Sequence, residues 1–243
     1  MIVKNNILLR NAPPLIGTEI AVYIDGAATE ECDGFTFGIT RIALPSTSDS
    51  FTIEWGDGSS EKRHETVSGL THTYSRIGLY RVRICDGISN VAVSSTVGTV
   101  GYKIYAPMIR EFRTTSTKIH TIARTAFHNA YNLQSLELRG SAVRTIAAGA
   151  FSGCRSLTSL EGYEQIEKLH MTVFKDAVSL PEKIYLPNLS DISAEATSSP
   201  FLGTAIKEFH FAAKHENAIK ALQIYIESGG NLGVEGAVCY FDL

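Results

Sequence analysis

Apolar positions in the second half of the chain recur in phase. The pairs Ile119-x-x-Ile122, Val143-x-x-Ile146, Ile166-x-x-Leu169 and Leu189-x-x-Ile192 follow one another at 24, 23 and 23 residues. Beyond the first three pairs, in the same register, stand Ala126-Phe127, Ala150-Phe151 and Val173-Phe174. A third segment closes each unit: Leu133-Gln-Ser-Leu136-Glu-Leu138, Leu157-Thr-Ser-Leu160-Glu-Gly162 and Leu180-Pro-Glu-Lys-Ile184-Tyr-Leu186. A period of this length with an L-x-x-L-x-L core predicts a solenoid, because one such coil cannot bury its own apolar face and must stack on its neighbours. Leu136 and Leu138 point inward along a short strand, while Gln134, Glu137 and Arg139 lie on the other side. The Ala-Phe step is expected on a short helical turn opposite that strand, its ring filling the space between the walls.

The fullest unit reads Ile146-Ala-Ala-Gly-Ala-Phe151-Ser-Gly-Cys154-Arg-Ser-Leu157-Thr-Ser-Leu160, and it resembles the BspA-like leucine-rich repeat. The resemblance covers residues 115–211 and implies a bacterial surface protein, of the kind found in gut anaerobes, that binds or adheres rather than catalyses. Cys154 falls where the family carries a small buried thiol. The fourth coil departs from the pattern, with Ala196-Thr197 in place of Ala-Phe and Ser198-Ser199-Pro200 inserted before Ile206, Phe209 and Phe211. It reads as a degenerate last coil. A helix over 215–228, stopping at Gly229-Gly230, and a strand over 237–241 are expected to cap the solenoid.

The first hundred residues follow a different period. Glu19–Ile24, Gly34–Ile39, Phe51–Trp55, Tyr80–Ile84 and Asn90–Ser94 are short alternating runs separated by turn residues, which predicts a small β-sandwich. Between them lies Trp55-Gly-Asp-Gly-Ser59, followed by His72-Thr-Tyr74-Ser-Arg-Ile-Gly78-Leu-Tyr80-Arg-Val82. This pairing is similar to the PKD-type immunoglobulin-like domain, over residues 35–95. Gly56 and Gly58 permit the positive φ of a tight turn, and the Asp57 carboxylate can accept N–H bonds within it. The resemblance places the His72 ring on that turn. The alternative is a cation, calcium, held by Asp57 with Asp49 or Glu54. The expected fold class is therefore a multi-domain β plus α/β chain: an immunoglobulin-like sandwich over 1–100, then a leucine-rich-repeat domain with its cap over 101–243. Residues 96–114 join the two and are too apolar for a free linker, so the halves are expected to pack together.

Composition removes several function classes. Of 243 residues 44% are hydrophobic and the net charge is −3. Neither half carries the basic excess of a nucleic-acid footprint, and no run is long and apolar enough to span a membrane. The opening Met1-Ile-Val-Lys4 stretch has too short an apolar run for a secretory signal, which leaves cytoplasmic or phage-particle origin open beside the cell surface. Cys32, Cys85, Cys154 and Cys239 have no metal-ligand spacing, while Cys32 could bridge Cys85 in an oxidising compartment. No nucleophile elbow, phosphate loop or zincin motif occurs, and Glu161, Glu164 and Glu167 read as a solvated face rather than a glycosidase pair. The chain is expected to be non-enzymatic, with no cofactor.

What remains is a surface. The outward strand positions of successive coils predict a ladder, Glu137, Glu161, Tyr185 and Glu208 alongside Arg139, Tyr163, Pro187 and His210, that offers rings among charges to a host or bacterial surface protein or a glycan. An ordinary wetted sheet face is the alternative. A virion decoration protein and an accessory carbohydrate-binding module are the competing function classes.

Overall fold

The computed structural model describes residues 17–25, 35–85, 87–93, 105–192, 198–216, 219 and 236–243. The first half contributes β1 (Thr18–Ile24), β2 (Phe35–Ala43), β3 (Phe51–Glu54), β4 (Ser60–Arg63), β5 (Val67–Tyr74), β6 (Gly78–Cys85) and β7 (Asn90–Ala92). All its pairings are antiparallel. β1, β6, β3 and β4 lie side by side, and β2 is flanked by β5 and β7. The alternation seen in the sequence sorts Ile20, Val22, Ile53, Val82 and Ile84 inward from the first sheet, and Phe37, Ile39, Ile42 and Val91 from the second.

The second half contributes β8 (Ile109–Thr114), β9 (Thr121–Ile122), β10 (Ser135–Glu137), β11 (Thr145–Ile146), β12 (Ser159–Glu161), β13 (Lys168–Leu169), β14 (Lys183–Leu186), β15 (Asp191–Ile192), β16 (Glu208–Phe211) and β17 (Val238–Tyr240). These form a solenoid with two strand walls. The apolar pairs give the parallel ladder β9-β11-β13-β15, and the L-x-x-L-x-L segments give β8-β10-β12 and β14-β16-β17.

The Ala-Phe turns make a third wall with its own hydrogen-bond ladder. Thr125, Phe127 and Asn129 donate their N–H groups to the carbonyls of Ala148, Ala150 and Ser152 one coil on. Gly149, Phe151 and Gly153 do the same to Met171, Val173 and Lys175, then Thr172, Phe174 and Asp176 to Ser198, Pro200 and Leu202, all at 2.7–3.1 Å. The residues in between bond back within their own turn, as His128 does to Thr125. This alternation requires positive φ at two positions per coil: Thr125, Gly149 and Thr172 at 53°, 65° and 55°, and Asn129, Gly153, Asp176 and Gly203 at 60°, 77°, 60° and 73°. Beneath it the rings of Phe127, Phe151, Phe174 and Phe201 stack at 5.3–5.7 Å, within 15° of parallel.

Two expectations are revised here. Phe201 fills the fourth ring position and Pro200 the Ala position, so the insertion moves the motif downstream instead of erasing it; Ala196 and Thr197 lie outside the described residues. The stretch ahead of the first expected coil also carries a repeat strand, since β8 pairs in register with β10, Phe112 opposite Leu136. β8 binds β1 on its other edge, with a bulge at Ala21/Val22, so one seven-stranded sheet runs β12-β10-β8-β1-β6-β3-β4 through both halves.

The buried apolar residues form one cluster from Ile20 to Ile219. Tyr105 locks over Gly38, where a Cβ would stand 2.3 Å from its ring. Cys154 is fully buried, its thiol donating to the Phe127 carbonyl at 3.3 Å, and burial pushes its pKa up. Most of the helix expected over 215–228, and Cys32 with its possible bridge to Cys85, lie outside the described residues. The final strand is present as β17. Among the described residues no helix is long and apolar enough to cross a membrane.

Candidate binding face

The solvent side of the seven-stranded sheet is a charge lattice. Parallel and antiparallel register place Glu54 beside Arg83, Arg83 beside Glu19, Glu19 beside Arg113, Arg113 beside Glu137 and Glu137 beside Glu161. Ion pairs cross the strands: Arg83–Glu19 at 2.8 Å, Arg81–Glu19 at 2.9 Å, Arg81–Glu111 at 3.0 Å, Arg113–Glu137 at 3.1 Å and Arg139–Glu161 at 3.1 Å. Partial burial works against the charge on Arg81, but the carboxylates of Glu111 and Glu19 outweigh it and raise the guanidinium's pKa. Glu161 and Glu167 each face an arginine, Arg139 and Arg144.

The lattice stops at β12. Gly162, at φ 71°, turns the chain into a 3-10 turn over Tyr163–Gln165, and a Cβ there would fall 2.3 Å from the Arg139 nitrogen. Tyr163 is thereby rolled inward. It packs half-buried against the core, and its phenolic oxygen accepts the Tyr185 N–H at 3.3 Å. Burial, the largest influence, raises its pKa.

Beyond that plug the outward positions become aromatic. Register pairs Tyr185 with His210 and His210 with Tyr240, whose rings stack at 4.7 and 4.8 Å, within 21° of parallel. Tyr185 and Tyr240 remain 45% and 40% exposed, which makes them available for contact. The His210 Nδ1 lies 3.0 Å from Asp242, and its Nε2 faces Glu208 at 3.6 Å, beyond hydrogen-bond reach. Glu208 pairs with Lys183 at 2.8 Å, a hydrogen bond that lowers the pKa of the acid and raises that of the base.

The ladder expected from sequence is split between two sheets, with Glu137 and Glu161 on β10 and β12 and Tyr185, Glu208 and His210 on β14 and β16, and the second part is shifted in register. Glu137 and Glu161 are neighbours as expected, but Tyr185 stands beside His210 instead of Glu208. Counting across the displaced fourth coil shifts Glu208 and His210 by two residues. Tyr240, absent from that expectation, follows from the alternation of Val238, Tyr240 and Asp242 once β17 is paired with β16. Pro187 lies past the end of β14, so it adds no rung to the ladder.

The three carboxylates of the cation alternative have separate partners. The Asp57 carboxylate is occupied by the Ser59 N–H at 3.0 Å, the Ser59 hydroxyl at 2.6 Å and His72 Nε2 at 2.8 Å. Although partial burial opposes it, these bonds hold its pKa down at about 2. His72 stacks on Trp55 at 4.8 Å, and Tyr74 donates its hydroxyl to the Trp55 carbonyl. Asp49 turns to Lys118 at 3.4 Å, and Glu54 lies on the sheet beside Arg83. Among the described residues no three His, Cys, Asp or Glu side chains converge as a metal would require.

A parallel solenoid with an inward Leu/Phe file and two αL positions per coil defines a leucine-rich repeat protein. Residues 75–201 match the BspA type leucine rich repeat region in six copies, and the chain belongs to that family. Among solved structures it is similar to a leucine rich cell surface protein from Faecalibacterium prausnitzii, at 16% identity and a TM-score of 0.33, over 53% of this chain and 44% of that one. It is also similar to a leucine-rich repeat protein from Bacteroides ovatus, at 14% identity and a TM-score of 0.31, over 51% and 42%. The chain therefore spans less than half the length of either protein. No curated protein matches it.

Proposed function

We propose that this chain is a non-catalytic binding module of a bacterial cell-surface protein, engaging a protein or glycan through the outer strand face of its solenoid. One observation carries the reading: the exposed file Tyr185–His210–Tyr240, flanked by Lys183, Glu208 and Asp242. Exposed tyrosines in a rigid row supply contact area at little conformational cost, the composition found at interface hot spots. The charge lattice on β8, β10 and β12 is already paired within itself, so it serves as a polar rim and Glu137, Arg139 and Glu161 contribute little energy. Membership of the BspA type supports display at the surface. The first half, with its Trp55-Gly-Asp-Gly turn and two antiparallel sheets, serves as a PKD-type spacer joined edge-on to the solenoid.

The test is a screen of the purified chain against extracellular-matrix proteins, mucins and a glycan array. For any ligand found, Tyr185→Ala with Tyr240→Ala lowers affinity by about tenfold or more, whereas Arg139→Ala leaves it within about threefold. An unchanged affinity in the double tyrosine variant refutes the aromatic file as the site.

A further inference from the structure

The turn face of the solenoid carries a second feature, separate from the strand face. In coils one and three the outward turn positions hold long side chains, Arg124 with His128 and Met171 with Lys175. In coil two the same positions hold Ala148 and Ser152, over Gly149. The result is a slot of about 280 Å³, one coil wide, floored by Gly149 and walled on both sides, with the Thr125 and Thr172 side chains lining it. Between residues 115 and 211, Lys118, Arg139, Arg144, Lys168, Lys183 and Lys207 each pair with a carboxylate. Arg124, Arg155 and Lys175 have no ion pair among the described residues, and all three stand on the turn face. Asp176 is the one carboxylate in the described turn segments. Its Oδ1 is turned away from the slot, over Gly203 of the next coil.

We propose that this slot binds a linear anionic polysaccharide, one carrying carboxylate or sulfate groups, with Arg124 and Lys175 clamping it from opposite walls. Charge complementarity selects an anion, since the two cations stand at diagonal corners of the slot, Arg124 across from Met171 and Lys175 across from His128, with no acid between them. A sugar is favoured over an acidic peptide because most of the backbone N–H groups lining the slot are already committed. Thr125, Gly149 and Thr172 donate their N–H groups to the following coil, and His128, Ser152 and Lys175 donate theirs back within their own turns. A peptide binding as an added strand would find none of these donors. A polyhydroxylated chain needs only the side chains that project into the slot. Burial lowers the pKa of His128, which disfavours a third positive charge on the slot.

Calorimetry of the whole chain tests this with three probes: a heparin-derived octasaccharide for sulfate, an oligogalacturonate for carboxylate, and poly-glutamate as the acidic peptide. Binding of either saccharide, weakened by salt and lowered about tenfold by Arg124→Ala with Lys175→Ala, is the expected result. Ser152→Gln, which fills the slot and leaves every charge in place, abolishes binding, while Arg155→Ala does not change it; melting temperatures confirm that each variant is folded. The proposal is overturned if neither saccharide binds, if poly-glutamate binds as tightly as the saccharides, or if Ser152→Gln has no effect. None of these outcomes bears on the strand-face ligand, because the slot and the tyrosine file share no residue.

Discussion

The repeat position occupied by Thr125, Gly149 and Thr172 allows a stability experiment whose sign is opposite at neighbouring coils. All three backbones lie at φ between 53° and 65°. For an L-residue with a Cβ this region costs about 1–2 kcal/mol, and a β-branched residue is among the least suited to it. Replacing Thr172 with glycine removes that cost but returns about 0.4–1 kcal/mol of freedom to the unfolded chain, for a net stabilisation of about 0.5–1 kcal/mol. Gly149→Thr costs the same in reverse. Its new Cβ would meet the Thr125 Cγ2 at 3.5 Å and the Thr172 Oγ1 at 3.7 Å, ordinary contacts, so backbone strain alone sets the loss. Gly153→Ala is the control with a steric contribution: its Cβ would fall 2.4 Å from the Asn129 Oδ1, which adds about 1 kcal/mol or more. Urea denaturation followed by far-ultraviolet circular dichroism reads all three as midpoint shifts at constant slope. If Thr172→Gly and Gly149→Thr shift the midpoint in the same direction, backbone strain at this position is not the controlling quantity.

Three further outcomes are expected. Phe151→Ala removes a fully buried ring stacked on both neighbours and costs about 3–5 kcal/mol in equilibrium unfolding, with Phe151→Leu costing less than half of that. Gly38→Val drives a side chain into the Tyr105 ring and lowers the melting temperature by several degrees, equivalent to about 1–3 kcal/mol. Because the folded pKa of Asp57 lies below its ordinary value of 3.8, its contribution is complete above pH 4 and declines as the pH falls towards 2. After allowance for solvent screening it amounts to about 1 kcal/mol, and Asp57→Asn removes that part of the acid sensitivity, as pH-dependent melting would show.

The period was legible because stacking forces the same inward residues to return in every coil. What the sequence hid were departures that keep the geometry while changing the spelling. Ile109-Arg-Glu-Phe112-Arg-Thr114 is an L-x-x-L-x-L strand with Phe and Thr at two of its three positions, and Thr114 is buried by bonding its hydroxyl to that of Thr18. Phe201 falls off a fixed spacing, whereas the fold conserves the ring stack and lets the loop before it lengthen. The ladder register failed at Glu208 for the same reason. Tyr163 was placed on the surface by alternation, which Gly162 ends one residue earlier. The His72–Asp57 contact was legible only through the resemblance, which places that ring on the turn.

The turn-wall ladder makes the array directional. Each coil extends N–H groups forward and presents carbonyls backward, so the peptide dipoles add along the solenoid axis as they do in a helix, leaving unlike ends that need unlike terminators. One comes from the first half and one from the last coil itself: Val93 donates its N–H to the Ala126 carbonyl at 2.7 Å, and the Ser199 hydroxyl takes the Phe201 N–H at 3.3 Å, the bond that Phe127, Phe151 and Phe174 make to a following turn. These two contacts act as stops, and the length of the repeat array is set by where they fall.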